Sequence, residues 1–324
     1  MAGSIRYTAL AAALMVAGCS EAPAPAPSAA EHGDAAPTAA SAPAAKEAST
    51  DPYVAGVDAW HAEREARLQR LQGWLALVGL HWVEAGTHRI GMAADNDIVL
   101  NTGPDHLGVM RREGDVLFFT PAPGVGAMID DMPIEGEVAL PADSSGEAVR
   151  VTFRGGKANF QVIERGGKFG LRVRDVEAPT LTGFTGIERY PVDAGWRYEA
   201  RWVPHEEGRS IDIATVLNTI EPMPNTGTIE FEREGKTHRL EVVDEGDGAL
   251  FVIFADRTNA KETYGAGRFL YADPLDAEHV VIDFNKAYNP PCALNAFSTC
   301  PLPPPENRLD LAVTAGEKRY HGPH

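Results

Sequence analysis

The chain has 324 residues, room for two domains of ordinary size, and sets 29 Lys and Arg against 46 Asp and Glu for a formal net charge of −17. That balance excludes nucleic acid and anionic membrane surfaces as direct partners, because both need clustered Lys and Arg. The 32 Gly and 24 Pro favour a turn-rich, mostly β chain over a helical bundle.

The first residues speak to location. Arg6 supplies a positive charge, and residues 9–17 are apolar but too few to span a membrane. The run ends Val16-Ala17-Gly18-Cys19, which resembles a bacterial lipoprotein signal. The resemblance implies a signal peptide over 1–18, removed before a Cys19 that carries lipid, palmitate among the chains. Several chains together anchor stably. Ser20 after the Cys favours the outer membrane of the cell envelope, facing the periplasm. The other reading is an ordinary secretory signal with a chance Cys. Residues 19–50 are Ala, Pro and Ser with scattered acids, a tether that buries no core. Membrane contact is expected through the lipid anchor only.

Residues 51–178 read as an N-terminal helix and a β subdomain. Asp51 is placed as N-cap with Pro52 at the first helical position. Tyr53, Val57, Trp60, Leu68, Leu71 and Leu75 then recur at roughly helical spacing, and Gly73 is a stop. His61, set among charges, is expected on the exposed side. Strands follow at 74–83, 87–91, 97–100, 107–111, 115–120, 127–130 and 136–140. HRIGMAADNDIVL, residues 88–100, resembles the opening of a forkhead-associated domain, a β-sandwich. Met92 stands where that family has a phosphate-reading Arg, so a sandwich is carried over and phosphopeptide binding is not. Gly155-Gly156 and Gly166-Gly167 fit two-residue hairpin loops. Arg150, Arg154, Arg165, Arg172 and Arg174 stud that meander; they are placed on a solvated face, with a local anion site as the other reading.

Residues 179–320 read as a second β subdomain. Strands are expected at 196–203, 211–217, 228–233, 238–243, 249–254 and 280–284, the last two apolar enough to be buried on both faces. The fold class is therefore mostly β: two sandwich- or barrel-like subdomains with one N-terminal helix. No phosphate loop, G-x-S-x-G elbow or H-E-x-x-H is present. The segments KETYGAGRFLYAD, DFNKAYNPPCA and CPLPPPENRLDLAVTAGEK resemble the domain-of-unknown-function family numbered 1684. That resemblance implies no activity and no catalytic residues.

Residues 261–307 concentrate placed-looking polar side chains. Glu262, Asp283 and Glu306 are candidate catalytic carboxylates, since two that converge can divide into an acid and a base. Tyr264, Arg268, Asn285, Tyr288, Asn289 and Asn307 are candidate ligand contacts. The same residues also make good turns and buried corners. Cys292 and Cys300 remain as an even pair in an exported chain, so a disulfide is expected. No metal or other cofactor is expected, two Cys being too few ligands. The leading function is binding of a small polar or sugar-like ligand in a C-terminal pocket. A metal-independent hydrolase using Asp283 with Glu262 or Glu306, and a purely structural envelope module, are the alternatives, so enzyme status stays open. The sequence specifies no oligomeric state.

Overall fold

The computed structural model describes residues 51–324. The expected signal peptide, the expected lipidation site Cys19 and the expected tether lie outside them. Asp51 caps helix α1 (Pro52–Leu68), its carboxylate accepting the Tyr53 N–H at 2.8 Å. Val57, His61, Arg64 and Leu68 fall at helical spacing and form its buried face. His61 is therefore inside, contrary to the sequence expectation: its Nε2 lies 2.8 Å from the Asn285 carbonyl. Burial lowers its pKa.

Eleven strands follow: β1 (Leu77–Trp82), β2 (Gly86–Gly91), β3 (Ile98–Val99), β4 (Gly108–Glu113), β5 (Val116–Pro121), β6 (Met128–Ile129), β7 (Met132–Pro133), β8 (Val138–Leu140), β9 (Arg150–Phe153), β10 (Ala158–Arg165) and β11 (Lys168–Asp175). They make two sheets, ordered β1-β11-β10-β9-β6-β7 and β3-β2-β4-β5-β8. Ile90, Met110 and Phe119 from one sheet share a core with Phe153, Phe160, Leu171 and Val173 from the other, the arrangement of a sandwich. Gly166 and Gly167 form the expected two-residue turn, both at positive φ. Gly155-Gly156 does not. β9 ends at Phe153 and β10 begins at Ala158, so four residues connect them, and Arg154 itself takes a positive φ. That turn aims Arg154 at the Asp175 and Glu177 carboxylates.

A short helix α2 (Pro179–Thr182) leads to β12 (Arg197–Pro204), β13 (Ser210–Ala214), β14 (Ile220–Arg233), β15 (Lys236–Val243), β16 (Leu250–Phe254), β17 (Arg268–Pro274) and β18 (His279–Asp283). All their pairings are antiparallel. The order β12-β18-β17-β16-β15-β14 closes because β12 also pairs with β14, Arg201 to Pro204 opposite Glu230 to Gly227. This is a six-stranded barrel with β13 as a flap on the first half of β14. Its interior holds Trp196, Phe231, Leu240, Val252, Phe254, Leu270, Ile282 and Phe284. Phe251, Ile253 and Phe269 point to the outer face, where they meet Ile213 and Cys300. Cys292 and Cys300 stand at disulfide distance, with Cα atoms 6.2 Å apart, and hold the loop that covers this outer face. The chain is thus mostly β.

Candidate functional site

The residues picked from 261–307 scatter into separate settings. Asp283 is buried. Its Oδ1 accepts the Tyr53 O–H, the Asn285 N–H and the Asn285 side-chain amide, each at 3.0 Å. Asn285 also clasps both backbone groups of Asp193, at 3.0 and 2.8 Å. Glu262 and Glu306 are exposed. Among the described residues no hydrogen bond or ion pair joins any two of these three acids. Arg268 is wholly buried and donates to the equally buried Asp256 carboxylate at 2.8 Å and to the Val313 carbonyl at 2.9 Å. Asn307 stitches β15 to β16, its amide donating to the Glu241 and Ile253 carbonyls at 2.9 Å each. The Tyr264 hydroxyl holds the Cys292 carbonyl at 3.2 Å. These groups satisfy backbone and one another.

Tyr288 and Asn289 behave differently, because they line a cleft. Tyr288 exchanges both backbone hydrogen bonds with Phe269 at 2.9 Å, which fixes its ring over the outer face of the barrel. There it stacks on Tyr271 (centroids 6.3 Å, planes 17° apart) and meets Trp60 of α1 at 6.1 Å. Arg64, one helical turn on, lays its guanidinium 4.4 Å above the Tyr288 ring. Arg64 is held from behind. Its Nε donates to Glu317 Oε1 at 2.7 Å and its Nη2 to the Asn289 carbonyl at 2.9 Å. Glu317, 1 % exposed, also accepts the Asn289 N–H at 2.7 Å.

The cleft has two adjoining lobes. The first, about 340 Å³, is bounded by Trp60, Arg64, Trp74, Phe251, Tyr271, Tyr288 and Glu245. The second, about 280 Å³, shares Trp74, Glu245, Phe269 and Pro291 with the first and adds Arg165, Arg172, Glu221 and Thr299. Its walls therefore come from α1, the loop before β1, β10–β11 of the sandwich, the β13–β14 flap and the outer barrel face. Four phenyl or indole faces beside a few polar groups are the usual make-up of a small-molecule site.

At the mouth, the Tyr271 O–H donates to Glu245 Oε2 at 2.9 Å. Glu245 is open to solvent on one side, but the cleft walls take water from the other. That desolvation raises its pKa, with the charges of Asp247 and Asp244 adding to it and the Tyr271 hydrogen bond working against it. Burial also pushes the Tyr288 hydroxyl up to about 12, against the pull of Arg64. Tyr271 is raised further, by desolvation first and then by its neighbours Tyr288 and Glu245. Both phenols are thus neutral donors at ordinary pH, and the Glu245 carboxyl is the group there that takes up a proton most readily.

Residues 182–318 match the model of a family described as Protein of unknown function (DUF1684). This stretch is a DUF1684 segment. It contains α2's last residue, the whole barrel and Glu317, so within the cleft it supplies Glu245, Tyr271, Tyr288 and Thr299 but neither α1 nor β11. Among solved structures, the chain is 33 % identical to the uncharacterized protein from gene locus rrnAC0354 of Haloarcula marismortui. The match covers 42 % of this chain and 77 % of that one at a TM-score of 0.36. No curated protein matches.

Trp60, Arg64, Trp74, Arg172, Glu245, Tyr271 and Glu317 were not among the candidates read from the DUF1684 segment. For α1 the signal was present: Val57, Arg64 and Leu68 share a helical face, so an arginine on that stripe had to be buried. For Arg172 the signal was weaker. β11 is buried along both faces, which turns an alternation that reads as solvated into one that faces the barrel.

Proposed function

We propose that the chain is a ligand-binding lipoprotein of the bacterial cell envelope, anchored through Cys19, with the two-lobed cleft as the seat of a small polar, sugar-like ligand. The observation that carries the binding reading is the pairing of aromatic walls with the Glu245–Tyr271–Tyr288 group at the mouth. Flat aromatic faces accept the apolar side of a pyranose, while carboxylate and phenol groups meet its hydroxyls. Tyr288 and Asn289 contribute to the wall. Asp283, Asn285, Arg268 and Asn307 hold the frame around it. The hydrolase alternative has no comparable support, because Asp283, Glu262 and Glu306 have separate surroundings.

A panel of monosaccharides, sugar acids and sugar phosphates, screened by thermal shift on the full chain and then titrated calorimetrically, tests the binding reading. At least one compound is expected to raise the melting temperature, since a ligand at 100 times its Kd adds about 2.7 kcal/mol. Trp74→Ala and Tyr271→Ala should each weaken that binding by about tenfold or more, on the scale of a lost buried aromatic contact. A panel without a single binder, or binding untouched by both substitutions, contradicts it.

The anchor has its own test. Growth with a palmitate analogue should label the wild-type chain and leave a Cys19→Ser chain unlabelled and unprocessed. Label on the Cys19→Ser chain would refute the lipid assignment.

A further inference from the structure

The second lobe holds a guanidinium that is 4 % exposed and, among the described residues, has no carboxylate in hydrogen-bond contact. Arg172 lies on β11 with its Nη2 3.3 Å from the Thr299 hydroxyl and its plane 5.1 Å from the Trp74 ring centroid. Among the described residues its buried Nε has no hydrogen-bond partner. The carboxylate acting on it through space, Asp143, is already taken: Arg165 donates to it through Nη1 at 2.9 Å and Nη2 at 2.8 Å, and the Glu164 N–H adds a third bond at 3.0 Å. Arg165 itself, on the same wall, adds positive potential. Burial first, then Arg165, brings the Arg172 pKa down to about 10, so the group is still charged at neutral pH. Buried arginines are ordinarily paired, because a desolvated charge without a counter-charge is costly.

We infer that Arg172, with the Thr299 hydroxyl, is the anion anchor of the cleft, and that the ligand it selects is a hydroxylated compound bearing one carboxylate or phosphate group. The inference rests on the cleft being a small-ligand site and adds the ligand's charge class. Geometry favours an oxyanion: the Nε edge of a guanidinium presents two parallel N–H groups that match two oxygens of a carboxylate or phosphate. The neighbouring groups limit the ligand to one acidic group. Glu221 and Glu245 line the same lobe, Glu221 accepting from the Thr219 hydroxyl at 3.4 Å and Glu245 from the Tyr271 O–H. A di- or triphosphate would crowd negative charge against them, whereas the hydroxyls of a sugar acid or sugar monophosphate would donate to them. Trp74, shared by both lobes, sits where the ring of such a compound would stack while its acidic group reaches Arg172.

The test is calorimetric titration of the full chain with glucose, glucuronate, glucose 6-phosphate and inorganic phosphate. On wild type the two acidic sugars are expected to bind at least about tenfold more tightly than glucose, the scale of one charge-assisted bidentate contact. In Arg172→Gln that ratio should fall to about one. Arg172→Lys, which keeps the charge and loses the fork, should retain part of it and guards against a folding defect in the first variant; both are compared with wild type by thermal unfolding. Equal affinity for glucose and glucuronate on wild type, or an acid preference that survives in Arg172→Gln, overturns the anchor while leaving the cleft as a binding site. Binding of inorganic phosphate that needs Arg172, with no sugar bound in any form, upholds the anchor and removes the sugar reading. Failure of all four compounds on wild type removes both.

Discussion

Replacing Asp256 by Asn is expected to destabilise the fold by about 3–5 kcal/mol, because it strands a buried arginine. The Asp256 and Arg268 side chains are both 0 % exposed, and Nη2 meets Oδ2 at 2.8 Å. The site is built around the charge. Asp256 Oδ1 also accepts the Thr258 N–H at 2.8 Å, the Thr258 hydroxyl at 2.6 Å and the Val313 N–H at 3.2 Å. Arg268 in turn gathers the Val313, Ala315 and Glu317 carbonyls. The pair therefore pins the end of β16 and the start of β17 to the C-terminal tail. An amide at position 256 would keep the shape and lose the counter-charge. Urea unfolding at neutral pH measures the cost as a shift in midpoint at constant slope. The paired change Asp256→Leu with Arg268→Met should recover a good part of it, since two apolar side chains leave no stranded charge. A loss in Asp256→Asn below about 1 kcal/mol would mean that the carbonyl cage alone supports the guanidinium.

The second large effect is expected at Glu317. Among the described residues it is the one carboxylate that bonds Arg64, and it accepts the Asn289 N–H besides. Glu317→Gln should cost about 3 kcal/mol or more, on the same reasoning about a stranded buried charge. The loss should also be local in a way the Asp256 variant is not. Arg64 is a charged tie between α1 and the barrel beside the Tyr53–Asp283 and His61–Asn285 hydrogen bonds, so the amide hydrogens of α1 should exchange faster relative to those of β16 and β17. With α1 loosened, Trp60 and Arg64 no longer hold one wall of the first lobe, and ligand affinity should fall with helix protection. Unchanged protection in α1 would show that His61 and the apolar stripe suffice to seat the helix.

The barrel was legible where its strands were uniform. Residues 249–254 are an unbroken apolar run and 280–284 are apolar but for Asp283, and β16 and β18 lie on them within a residue. β17 was hidden because it opens with Arg268 and closes with Asp273 and Pro274 inside a dense polar segment, so it reads as part of a polar site rather than as a ladder. The first half of β14 was hidden by Pro222 and Pro224. Proline is tolerated there because this half pairs on one side only, with β13, and the missing N–H groups fall on the free side. No local pattern announces closure of the barrel, which depends on β12 meeting β14 around a corner.

Within the cleft, Tyr288 and Asn289 could be read from the sequence because they sit in a dense polar segment. The rest could not, because the cleft is made of long-range contacts: Trp60 with Tyr288, Arg64 with Glu317, Arg172 with Thr299. Composition even pointed the wrong way for Arg172 and His61, since a charged or polar residue in a mixed stretch is usually solvated. Asp283 and Arg268 stand out in the sequence and both sit in buried polar corners, which need the same residue types as a binding site.

A polar, sugar-like ligand seated between α1 and the outer barrel face, as proposed, would lie against indole rings. The chain's five tryptophans provide the reporter. Trp60 and Trp74 line the cleft, whereas Trp196 packs inside the barrel and neither Trp82 nor Trp202 borders either lobe. In a nitrogen-15 spectrum the five indole N–H signals can be assigned by single Trp→Phe changes and followed while glucuronate is added. Saturable shifts of the Trp60 and Trp74 signals, with the other three still, are the expected result. Shifts confined to Trp82, Trp196 or Trp202, or none at saturating glucuronate and glucose 6-phosphate, would contradict it.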